Sequence, residues 1–220
     1  MNRKIEVEKY VRKKIRYITV VSKSGRNSGS SGAGFMLATL RRGVGGIPGE
    51  DPGILGLILT DMPEDFFSKA DAYTGICKPT EAEWACYTAL TLYALHQQGN
   101  DPTLVPMHME NRSLGTAMAM YAYTSGDANA VSRMVIKLKT LASAKDMEEF
   151  SYHLKTVVRL LKGKSIALDY GRLAGDIYQF QFFDSRSDLF LKWGQDYYSN
   201  KNSNNKDSEG GNKNGEKFLS

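Results

Sequence analysis

Five aspartates, Asp169, Asp176, Asp184, Asp188 and Asp196, fall close together near the C-terminal end of the chain. Paired carboxylates of this kind can hold two divalent ions for phosphodiester hydrolysis. Their positions fit helix caps and solvated helix faces better. The histidines His96, His108 and His153 are far apart and have no neighbouring nucleophile or metal-ligand spacing. Cys77 and Cys86 are too few for a disulfide framework, and both read as reduced, buried thiols. The run Ser24–Gly34 is rich in Ser and Gly but lacks the Gly-Lys-Ser/Thr ending of a phosphate loop and the buried strand before it, so it reads as a flexible loop. Catalytic, metal-ligating and cofactor-binding sites are therefore all expected to be absent.

Cations are arranged with more regularity. Lys9, Arg12, Lys13 and Arg16 recur at three- and four-residue spacing, as do Arg133 and Lys137, and Lys155, Arg159 and Lys162. Each set makes a basic stripe on a helix, suited to phosphate contacts that position a protein without reading bases. Solvated faces whose long stems cover apolar surface are the plainer alternative. Residues 1–42 hold 11 basic and 2 acidic side chains, whereas 43–129 hold 3 basic and 11 acidic. The chain is electrostatically polarised, with a second basic excess over 130–164. Such a pattern suits a polyanion on one surface and a protein partner on another.

The elements that carry these stripes are helical. Val7, Val11, Ile15 and Ile18 form the apolar face of a helix over residues 2 to about 21. A second helix spans Phe35 to Arg42 and ends at Gly43, read as a left-handed cap, with Arg41 and Arg42 complementing the dipole in its last turn. Thr80 and Glu83 form a capping box that opens a helix to about His96, whose imidazole is placed to cap carbonyls. The run Asn100–Pro106 interrupts the pattern. From Asn111 three or four helices follow, burying Val131, Met134, Leu138 and Leu141, then Met147, Phe150, Leu154, Val158 and Leu161. Asp169 is the expected N-cap of a helix containing Leu173, Ile177 and Phe180, with Gly171 and Gly175 permitting close helix contact. Trp193, Tyr197 and Tyr198 are expected to close the bundle.

The expected architecture is all-α: two small packed helical bundles over 1–105 and 106–199, with a disordered tail over 200–220. No apolar run is long enough to span a membrane and the N-terminus lacks an apolar signal core, so a cytoplasmic location is expected.

Four blocks in order give the chain a family resemblance. They are LATLRRGVG from Leu37, NRSLGTAMA from Asn111, the basic helix running into SIALDY between Phe150 and Tyr170, and IALDYGRLAGDIYQF followed by WGQDYY. Together they resemble the CasB family, the small subunit of type I-E Cascade, a CRISPR-guided DNA surveillance complex. The resemblance implies a non-catalytic all-α subunit. It implies as partners the large subunit, the backbone subunits, a second copy of the chain, guide RNA and the single-stranded DNA of the R-loop. Expected phosphate contacts are Lys9, Arg12, Lys13, Arg16, Arg41, Arg42, Arg112, Arg133, Lys137, Lys155 and Arg159. Arg41, Arg42, Arg112, Lys155 and Arg159 lie in the matching blocks; the rest follow from charge spacing alone. A helical adaptor that binds protein through its acidic middle, using its basic faces for solubility, is the alternative.

Overall fold

A computed structural model describes residues 2–28, 32–124 and 126–209, with side chains described over most of them. Among these residues the elements are helices, joined at one place by an isolated parallel bridge between His108 and Leu168. The fold is all-α, as the periodicity requires.

Helix α1 (Arg3–Ser28) buries Val7, Val11, Ile15 and Ile18 along one face. It runs through the first half of the Ser/Gly segment expected to be a loop, and α2 (Gly32–Arg42) begins before Phe35. Helix thus reaches further into this segment from both ends than expected, because packing of α1 against α2 holds backbone that glycine alone would leave unfixed. Helix α3 (Pro52–Leu59) starts on Asp51, which accepts from the Gly53 and Ile54 amides, with proline in its first turn. Helix α4 (Glu81–Gln97) has the expected capping box: the Glu83 amide donates to the Thr80 hydroxyl at 3.1 Å, and the Thr80 amide donates to the Glu83 carboxylate at 2.7 Å. Almost every side chain of α4 is buried, so it is the central helix. Helices α5 (Leu114–Thr124), α6 (Ala130–Ala142), α7 (Met147–Gly163), α8 (Tyr170–Phe180) and α9 (Phe183–Glu209) complete the chain. Of the segment expected to be a tail, residues 200–209 continue α9 and 210–220 lie outside the described residues.

Helix α8 lies against α1, α4 and α9, and α4 packs in turn on α2 and α7. The connecting loop between α4 and α5 contains residue 105, and Gln97 braces it by donating to the Asn100 and Val105 carbonyls while accepting from the Met107 amide. One connected apolar core runs from Val7 to Tyr197. In its C-terminal half the Phe150 and Phe180 rings stack at 3.7 Å, and Trp193 lies parallel to Phe150. Trp193 and Tyr197 are fully buried, whereas Tyr198 is half exposed.

Close helix approach depends on glycine at three positions. A β-carbon at Gly171 would overlap the Arg12 side chain, and one at Gly175 would overlap Glu8, so α1 and α8 meet where only hydrogen fits. At Gly115 a β-carbon would overlap the Trp193 carbonyl of α9.

Several polar groups are more deeply buried than their spacing implies. Asp176 is 4 % exposed rather than solvated, accepting from the Trp193 indole at 2.8 Å and the Lys4 ammonium at 3.1 Å. His96 is fully buried, and its Nδ1 faces the Tyr170 hydroxyl at 2.9 Å instead of capping carbonyls. Of the two cysteines expected to be buried, only Cys86 is; Cys77 sits on an exposed turn. Among the described residues no helix is long and apolar enough to cross a membrane, and no group of three His, Cys, Asp or Glu residues is placed to hold a metal.

Two predictions follow from this packing. Gly115→Ala should lower the urea unfolding midpoint by an amount worth about 1–3 kcal/mol, because backbone rather than a flexible side chain must give way. Burial, helped by the nearby Lys162 charge, depresses the His96 pKa from 6.5 to about 4. The unfolded chain therefore binds a proton that the folded chain refuses, so stability falls as pH drops below about 6.5. Between pH 7 and 5 the loss should be about 2 kcal/mol by urea titration, and His96→Gln should remove that part of the acid-side slope.

Candidate nucleic-acid interface

The C-terminal end of α2 and the outward stripe of α7 are brought together by a glycine turn on α4. After Arg42 the chain reverses through Gly43–Gly46, closed by the Gly43 amide on the Leu40 carbonyl, the Val44 amide on Arg41 and the Gly46 amide on Gly43. The left-handed residue is Gly45, with φ +84°, not Gly43 as the sequence suggested. Gly43 is required for space instead: a β-carbon there would sit 2.6 Å from the Tyr87 hydroxyl and 3.0 Å from Thr91 of α4. This seats the turn on the central helix, and the Lys155 ammonium of α7 reaches across to it, 3.6 Å from the position a β-carbon of Gly45 would occupy.

Further along α7, Arg159 and Lys162 continue the stripe while Phe150, Leu154, Val158 and Leu161 are buried beneath it. Partial burial, then the positive charges of Arg41 and Arg159, push the Lys162 pKa down. Arg41, Arg159 and Lys162 therefore share one electrostatic neighbourhood across two helices. Lys162 donates to Gln98 at 2.9 Å, at the end of α4. No carboxylate of the described residues lies within ion-pair distance of Arg41, Lys155 or Arg159. Like charges held together without counter-ions repel one another, and a phosphate backbone relieves that repulsion. Lys162 was visible as the third member of the α7 stripe but was not among the expected phosphate contacts; its i+3 spacing from Arg159 was the available signal.

The other expected contacts are dispersed. On α1, Lys9 and Lys13 are exposed. Arg12 is turned inward, donating at 2.9 Å to Asp169, which is 1 % exposed, and lying 3.5 Å from Glu8. Arg16 pairs with Glu110 at 2.7 Å. Arg42 faces Asp51 at a long 3.5 Å. Arg112 points a guanidinium nitrogen at the Ala167 carbonyl, 3.5 Å away. Arg133 pairs with Asp127 and lies near Tyr121, and Lys137 is partly buried on the same helix. Arg133 thus looks toward α5, while Lys155 of α7 looks toward the turn after α2.

Comparison with known proteins agrees with this architecture. A family profile described as CRISPR-associated protein Cse2 matches residues 36–198, which takes in the α2 end, the glycine turn and all of α7. The chain is similar to the crystal structure of CasB from Thermobifida fusca, with a TM-score of 0.66 and 27 % identity over 88 % of this chain and 98 % of that one. It shares its fold with CasB from M. ruber, with a TM-score of 0.56 and 20 % identity over 79 % of this chain and 89 % of that one. No curated protein sequence matches significantly. A profile match across most of the chain, together with these folds, shows that the chain belongs to the CRISPR-associated Cse2 family, the CasB subunit family of type I-E Cascade.

Proposed function

We propose that the protein is a non-catalytic Cascade subunit that retains the R-loop by holding nucleic-acid backbone on the α2–α7 cationic surface. The observation that carries this reading is the convergence of Arg41, Lys155, Arg159 and Lys162, with no carboxylate among the described residues to neutralise Arg41, Lys155 or Arg159. Such a surface holds phosphates irrespective of base identity. Sequence choice then belongs to pairing between guide and target, and the subunit supplies electrostatic retention of the guide RNA and the displaced single strand. Lys9 and Lys13 offer a second, smaller basic surface on α1. Arg12, Arg16 and Arg133 are engaged by carboxylates and serve the scaffold first.

The partners in this reading are the large subunit, the backbone subunits and a second copy of the chain, in the cytoplasm. The acidic excess over 43–129 is offered to protein, apart from the turn over 69–78, which holds two lysines and one aspartate. An adaptor that uses its basic faces for solubility alone would bind those partners without holding nucleic acid.

With four phosphates neutralised, the logarithm of single-strand affinity should fall against the logarithm of salt concentration with a slope of roughly −3. Lys155→Glu combined with Arg159→Glu should weaken single-stranded DNA binding by about tenfold or more and flatten that slope, while the complex still assembles. Binding that ignores salt, or a double variant that binds as tightly as the parent, would overturn the reading.

A further inference from the structure

The segment between the short 3-10 turn at Glu64–Phe66 and α4 contains a small, well-braced projection that the cationic surface does not use. One Asp71 carboxylate oxygen accepts from the Tyr73 amide at 3.0 Å, the Thr74 amide at 2.8 Å and the Thr74 hydroxyl at 2.9 Å. The Asp71 amide donates to the Ile76 carbonyl at 3.0 Å, and the Gly75 amide returns to the Asp71 carbonyl at 2.9 Å, with Gly75 at φ +67°. These hydrogen bonds hold the Asp71 pKa down and fix the turn before any partner arrives. At its tip Tyr73 is 98 % exposed, so both ring faces are open to solvent. In the same segment Lys69, Asp71, Thr74, Ile76 and Lys78 line an open concavity of about 390 Å³.

An aromatic ring held outward on a rigid turn costs apolar hydration and gains nothing within the chain. We propose that Tyr73 is a stacking platform for one nucleobase of single-stranded nucleic acid, with Lys69 and Lys78 receiving the adjoining phosphates. Base stacking on an aromatic face beside a cationic groove is the usual physics of sequence-tolerant single-strand binding. The nearby carboxylates are largely committed elsewhere: Asp71 to the turn, Asp65 to Arg3, and Glu83 to the α4 cap. Glu64 and Glu81 remain exposed.

The turn feeds into α4 at Thr80, while Lys162 lies beside Gln98 at the other end of the same helix, about 27 Å along its axis. The proposal rests on the retention function and assigns the turn a different term in it. The α2–α7 surface binds backbone, and Tyr73 binds base.

The test uses the full-length chain with two single strands of equal length, one oligo-dT and one carrying abasic sites throughout. Tyr73→Ala should weaken oligo-dT binding about tenfold and leave the abasic strand unaffected, and Tyr73→Trp should restore the preference for oligo-dT. Tyr73→Ala binding both strands as the parent does would overturn the proposal, as would an equal loss for both. The same holds if Tyr73→Ala instead prevents assembly with the protein subunits at unchanged DNA affinity, which would make the tyrosine a protein anchor. Lys155→Glu with Arg159→Glu should weaken both strands alike, so failure of the retention reading registers separately from failure of the stacking platform.

Discussion

The Asp169 carboxylate joins α8 to α1 and to the segment entering α5 through three hydrogen bonds. It is 1 % exposed, and burial alone would push its pKa up; the Arg12 guanidinium and the Arg172 and Asn111 amides outweigh that and hold it down. One side chain thus caps α8, ties α8 to α1, and fixes the segment that leads into α5. The neighbouring backbone continues the tie, with the Met109 amide on the Leu168 carbonyl, the Leu168 amide on Met107, and the Asp169 amide on Arg112. Removing one member of such a buried pair leaves an uncompensated charge, which costs far more than the pair itself contributes. Gly171 and Gly175 complete the arrangement by letting α1 approach closely enough for Arg12 to reach.

This constraint sorts the cations by role. Arg12 belongs to the polar knot because α8 needs its charge, and Arg16 is drawn toward Glu110 beside it. The α7 cations face away from that knot, above a core of Phe150, Leu154, Val158 and Leu161, and meet the end of α2 across a turn seated on α4. The four family blocks therefore divide into two pairs. The block around Asn111 and the block around Asp169 lie side by side as scaffold, while the Arg41 block and the α7 block form the charged surface.

Much of this was legible in the chain. The α1 apolar face, the Thr80–Glu83 capping box, the Asp169 cap and the buried face of α7 follow from helical period and local hydrogen-bond chemistry, which short-range spacing reports faithfully. What escaped was set by long-range contact. Nothing in the spacing of Lys9, Arg12, Lys13 and Arg16 distinguishes Arg12, because its partner lies on α8. Asp176 looks like a surface residue until Lys4 and Trp193 close over it, and His96 looks like a C-terminal cap until Tyr170 is placed against it. The left-handed role expected of Gly43 falls to Gly45 for a similar reason, since the need for space at Gly43 comes from Tyr87.

A matched pair of neutralising substitutions separates scaffold from interface. Arg12→Met and Arg159→Met each remove one positive charge with similar side-chain bulk, and each is measured for thermal unfolding midpoint and for single-stranded DNA affinity at fixed salt. The account predicts that Arg12→Met lowers the midpoint by several degrees while the folded protein binds DNA as before, and that Arg159→Met weakens binding at an unchanged midpoint. An Arg12→Met protein that melts normally and loses DNA affinity, beside an Arg159→Met protein that keeps it, would contradict the account.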